Sequence, residues 1–141
     1  MELTLPVELT RSRSGLHARR SAIVIIGRGR REVVSKPTMP GKGTYSKGEA
    51  GLAKVTLSRG EVAVHVVLTM GPRKRVKGFM VVYDDNGEEK LKVKYERLKI
   101  RFSRGYPDYS WAIDQALDAL GLSPYVRRKN YGRRSGAVKE G

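Results

Sequence analysis

Arg73, Lys74, Arg75 and Lys77 crowd into the stretch "GPRKRVKG" with no acid among them. Cations packed this closely repel one another unless an external anion relieves them, and nucleic acid is the polyanion in commonest supply. The competing reading is simple solvation, because charge at a hairpin tip also keeps a sheet from pairing with its neighbours. Three further clusters favour phosphate contact: Arg28, Arg30 and Arg31; Lys42 and Lys47; and Arg127, Arg128 and Lys129 with Arg133 and Arg134.

The surroundings of those clusters add two kinds of group. Glycines in "GRGRR" and "GKGTYSKG" leave backbone amides unobstructed for phosphate oxygens, although the same composition also suits a plain linker. Neither stretch has the residue order of a P-loop. Tyr45, Tyr125 and Tyr131 interleave with the cations. In single-strand binders such rings stack on bases, each worth about 1–3 kcal/mol, and the alternative for each is surface packing. Tyr95, Tyr109, Phe79 and Phe102 fall on apolar faces and are assigned to the core, whereas Trp111 is left between covering the sheet edge and lying exposed.

Residues suited to catalysis are sparse. The chain has no cysteine and two histidines, His17 in a basic loop and His65 within an apolar run, which is not a metal-ligand spacing. Carboxylates gather at Asp84, Asp85, Glu88 and Glu89, and Glu88-x-Lys90 has the residue types of a metal-dependent nuclease. A tight turn at Asn86-Gly87 accounts for the same acids as solvated hairpin residues. No catalytic residue, metal or cofactor is expected.

Composition agrees with a polyanion as partner. Across 141 residues, 29 Lys and Arg face 14 Asp and Glu, a formal charge of +15, too large to suggest neutral metabolites. Only residues 106–122 are locally acidic. Asn86, Asn130 and Gln115 are the only side-chain amides; with no cysteine and abundant Lys, Arg and Glu, this is the tendency of hyperthermophile proteins, and an archaeal or hot-environment source is expected. No apolar run reaches the roughly 20 residues that span a bilayer, and the N-terminus lacks the basic-then-apolar order of a signal peptide. A cytoplasmic protein associated with the nucleoid or a nucleoprotein is expected.

The elements that position these groups follow from hydrophobic period. Leu3, Leu5, Val7 and Leu9 alternate with polar residues as a half-buried strand, with Pro6 best placed at an edge. Ala22–Ile26 is a β-branched run buried on both faces, hence central. Residues 27–51 read as a long basic glycine-rich loop. Residues 52–57, 61–70, 79–83 and 91–102 read as strands of a meander, the last changing parity near Glu96-Arg97, where a bulge is predicted. Asp108–Leu120 has helical spacing and ends at Gly121. Residues 123–141 read as a basic, disordered tail.

The sequence therefore predicts an α+β, β-rich domain over residues 1–122: a curved antiparallel sheet of about five or six strands with one C-terminal helix packed on it. Its expected role is non-catalytic binding of nucleic acid, single-stranded DNA or RNA in preference, largely independent of sequence. Two alternatives stay open: a protein that coats or packages double-stranded DNA, and a structural component of a ribosome or virion. A homodimer through a sheet edge is compatible with the pattern, and nothing in the sequence requires one.

Overall fold

The run Ala22-Ile23-Val24-Ile25-Ile26 governs the architecture, because a strand apolar on both parities must be covered on both faces. A computed structural model describes residues 1–10, 17–40, 49–103 and 106–121. There the run lies in β2 (Arg19–Gly27), every residue of which from Ser21 onward is buried. β2 pairs along its whole length with β6 (Val62–Met70), which continues as an antiparallel meander through β7 (Arg75–Tyr83) and β8 (Glu89–Lys99).

On its other edge β2 changes partner. Next to Arg19 and Arg20 it pairs with the end of β1 (Glu2–Thr10), and from Ile23 onward with β3 (Arg30–Val34). Released after two residue pairs, β1 crosses the face of β2 and pairs throughout with β5 (Glu49–Thr56), which in turn carries the two-residue β4 (Met39–Pro40). The sheet thus folds over on itself without closing into a barrel.

Two cores result. Ile23 and Ile25 of β2 and Ala63 of β6 pack against Val7, Ala53 and Val55 from the β1–β5 layer. On the opposite face Val24, Ile26, Val64, Val66, Leu68, Val76, Met80 and Val82 pack beneath α1 (Ser110–Leu120), which contributes Ala112, Ile113, Ala116 and Leu117. Each fully buried Ile, Val or Leu contributes roughly 1.5–3 kcal/mol, so β2 stabilises both layers at once. Asp108 Oδ1 accepts the Ser110 amide at 3.0 Å and shapes the entry to α1. Two short strands, β9 (Phe102–Ser103) and β10 (Tyr106–Pro107), lead into it.

The sequence undercounts the strands because residues 27–51 are not wholly loop. Arg28-Gly29 makes a two-residue turn, with Gly29 at φ +74°, and returns Arg30–Val34 against β2. β4 also falls in this stretch. Trp111 packs on the helix-side core, edge-to-face with Tyr95 at 4.8 Å, and the Tyr95 hydroxyl donates to Gln115 at 2.8 Å. The predicted bulge is present: Val76 pairs with Leu98 and Gly78 with Tyr95, leaving Glu96 and Arg97 opposite Lys77 alone.

A buried polar bond joins β1 to β6. His65, 3% exposed, places Nε2 2.8 Å from the Pro6 carbonyl, which fixes that nitrogen as the donor. A carbonyl aimed at His65 is turned away from β5, so the amide hydrogen that Pro6 lacks costs no ladder bond. Burial pulls the His65 pKa below its ordinary value of 6.5, and the bond to Pro6 offsets only part of that. The unfolded chain therefore takes up a proton that the native state resists, and the stability from neutral His65 is complete above about pH 6.5 and lost as pH falls. The thermal midpoint should drop between pH 7 and pH 5, and His65→Gln, which keeps a donor for Pro6, should flatten that drop. Equal pH slopes for parent and variant would remove His65 as the source.

Candidate nucleic-acid interface

The connection between β6 and β7 is built against local preference. Arg73 and Lys74 sit at φ +61° and +55°, and the Arg75 amide bonds back to the Pro72 carbonyl, which is the geometry of a type I′ turn. Such turns favour Asn-Gly, because a side chain at positive φ crowds the backbone by roughly 1–2 kcal/mol per residue. Elsewhere the chain puts glycine where the backbone needs positive φ, as at Gly87, φ +81°, between β7 and β8. At the β6–β7 turn it places two cations instead.

The β8 bulge repeats the pattern, with Arg97 at φ +54° where glycine is the easy choice. Among the described residues four non-glycine positions have positive φ, namely His17, Arg73, Lys74 and Arg97, and three of them line one open groove of about 800 Å³. His17, Met70, Gly71, Pro72, Arg73, Arg75, Val76, Lys77 and Arg97 form its walls, without a carboxylate. Ladder bonds hold its rim: the His17 amide donates to the Met70 carbonyl at 2.9 Å and the Met70 amide to the Ala18 carbonyl at 2.8 Å.

From the groove a second surface extends along the sheet. Arg75, Lys77, Phe79, Val81 and Tyr83 alternate onto the face of β7 turned away from α1, and register places Lys94 beside Phe79 and Lys92 beside Val81. Lys77, Lys92 and Lys94 are exposed, while Phe79 and Tyr83 are half-buried. Phe79 meets the His65 ring edge-on at 5.8 Å. Its assignment to the core is therefore corrected, since it belongs to neither buried cluster and stands on the face that the β1–β5 layer leaves partly open. Lys94 approaches Glu96 at 3.9 Å; Lys77 and Lys92 form no ion pair among the described residues.

The expected site residues separate into groups. Arg73, Lys74, Arg75 and Lys77 come together, although Arg75 and Lys77 belong to β7 and only Arg73 and Lys74 to the turn. Arg28, Arg30 and Arg31 lie at the opposite end of β6, eight residues or about 26 Å along the strand. Much of the charge there is already met: Arg30 binds Glu61 at 2.8 Å and Glu32 at 2.6 Å. Burial raises the Glu61 pKa, but bonds from the Ser58 amide and Arg30 outweigh it and hold the carboxyl ionised. Lys42, Tyr45, Lys47, Arg127, Arg128, Lys129, Tyr131, Arg133 and Arg134 lie outside the described residues.

The carboxylates of the nuclease reading serve their turn. Asp84 Oδ1 accepts the Asn86 and Glu88 amides at 2.9 and 2.8 Å, which lowers its pKa, the Glu88 bond most. Asp85 Oδ2 accepts the Gly60 amide at 2.7 Å. Sequence reasoning missed Lys92 and Lys94, whose signal was the polar parity of "KLKVKYE", and Arg97, whose signal was the parity change itself.

If the turn trades stability for charge, Arg73→Asn together with Lys74→Gly should stabilise the fold by about 1–2 kcal/mol in urea denaturation. A destabilised double variant would mean that the arginine and lysine contacts hold the turn. Comparison with known proteins supplies no relative: no family model, curated protein or solved structure matches this chain.

Proposed function

We propose that this protein binds nucleic acid without acting on it chemically, and prefers single-stranded DNA or RNA. The observation that carries the reading is the groove lined without a carboxylate, continuing into a sheet face where Lys77, Lys92 and Lys94 surround Phe79. Phosphates track the cations, and bases lie against the rings, whose faces accept any base. Sequence preference is correspondingly weak.

Two features favour a single strand over a duplex. α1 bears Asp114 and Asp118 and no Lys or Arg, so it offers no basic face to a major groove. Rings flush with a sheet reach bases only when these are unpaired. A protein of this kind would work in the cytoplasm, alongside a nucleoid or nucleoprotein. The described residues contain no helix long and apolar enough to cross a membrane.

Fluorescence anisotropy with matched single-stranded DNA, single-stranded RNA and duplex DNA over a range of salt tests the reading. Single strands should bind more tightly, and replacing Lys77, Lys92 and Lys94 together by Ala should reduce the salt slope by roughly 2, about 0.7 for each lost phosphate contact. The thermal midpoint should hardly move, because all three side chains are exposed. A steeper slope on duplex would put double-strand coating first. Weak binding, equal for all three ligands and gone at moderate salt, would point to a protein assembly.

A further inference from the structure

Arginines and lysines are not mixed at random over this surface. The sheet face carries Lys77, Lys92 and Lys94 with Arg75 at its end, whereas the groove gathers Arg73, Arg75 and Arg97 with Lys77 and His17. The two cations differ in what they hold best. An ammonium is a point charge suited to successive phosphates of a backbone, while a guanidinium is a planar fork that grips several oxygens of one phosphate.

An internal phosphodiester offers one negative charge and two free oxygens. A terminal phosphate carries close to two charges and three acceptor oxygens, and a di- or triphosphate carries more. Three guanidinium groups, an ammonium and an imidazole around one acid-free groove exceed what a single diester can answer. Position agrees with charge. Arg75 and Lys77 belong to both surfaces, and beyond them the chain turns back at Arg73-Lys74, so the groove lies where the sheet face ends.

We propose that the groove between the β6–β7 turn and the β8 bulge is a site for the terminal phosphate of a nucleic-acid strand, so that the protein is selective for phosphorylated ends. The source of the phosphate rests on the nucleic-acid reading above; the preference for a multiply charged phosphate rests on the groove alone. Arg73 and Arg97 both line that site, and both do so from positive-φ positions where glycine would fold more easily.

The test uses the full chain and one oligonucleotide in four forms, with a 5′-hydroxyl, 5′-phosphate, 5′-triphosphate or 3′-phosphate, the label being kept at the other end. Tripolyphosphate serves as a free competitor. One phosphorylated end should bind at least tenfold more tightly than the hydroxyl form. Arg73→Gly and Arg97→Gly, both compatible with the local backbone and expected to hold or raise the thermal midpoint, should abolish that preference. Lys92→Ala with Lys94→Ala should weaken all four forms by the same factor and leave it intact. Equal affinity for all four forms would overturn the proposal while leaving nucleic-acid binding standing. Tight tripolyphosphate binding that needs Arg73 and Arg97, with no oligonucleotide bound, would uphold the groove as a polyphosphate site and sink the nucleic-acid reading.

Discussion

Every layer of this protein depends on the two-sided burial of β2. A strand with Ile23 and Ile25 on one parity and Val24 and Ile26 on the other leaves no face for water, so it demands two covers. The chain supplies them by different means. α1 returns after the meander to cover one side, and β1, freed after two residue pairs, leads β5 across the other. Because β1 leaves early, the edge of β2 is open to β3, and the β2–β3 hairpin follows from the same separation. His65 fits this scheme as a polar bond between layers, tolerable in the interior because its neutral ring has the Pro6 carbonyl as partner.

That construction also decides where a ligand surface remains. The β1–β5 layer is narrower than the sheet it covers, so it protects β2 and β6 and leaves the outer face of β7 and β8 partly open. An open face on an edge strand invites pairing with another sheet, and the lysines of β8 and its bulge discourage it. Protection and phosphate binding therefore ask for the same residues along β8. They diverge at the groove, where charge has been placed at backbone positions that resist it, which edge protection does not require.

The sequence was legible where one physical rule acted alone. Alternation placed β1, β6 and the helix to within a few residues, and the parity change at Glu96-Arg97 disclosed a bulge that the register bears out. Legibility failed where two distant segments had to meet. The Arg28–Arg31 cluster looked as available as the Arg73–Lys77 cluster, because Glu61, which faces Arg30 across the fold at 2.8 Å, is 31 residues away in the chain. Phe79 was assigned to a core because parity separates two faces of a strand without saying which has a cover. Lys92 and Lys94 were passed over because a charged parity also describes an ordinary solvated face; it is their register beside Phe79 and Val81 that gives them a context.

Within one chain, the turns provide an internal comparison. Asn86-Gly87 and Arg28-Gly29 meet the need for positive φ with glycine, and the charges beside them have partners within the fold, as Asp84 has in the Asn86 and Glu88 amides and Arg30 in Glu32 and Glu61. The β6–β7 turn needs positive φ at two successive residues and meets it without glycine: arginine and lysine fill both positions, with no carboxylate among the groove residues. Local propensity, turn chemistry and electrostatics all disfavour that choice in the isolated protein. An anion in the groove, as proposed, would remove the electrostatic objection, while the two ladders behind it, β2–β6 and β6–β7, hold the turn at positive φ against its local cost. The net charge of the chain says only that a polyanion would be welcome; on the proposed reading, the backbone marks where it would be held.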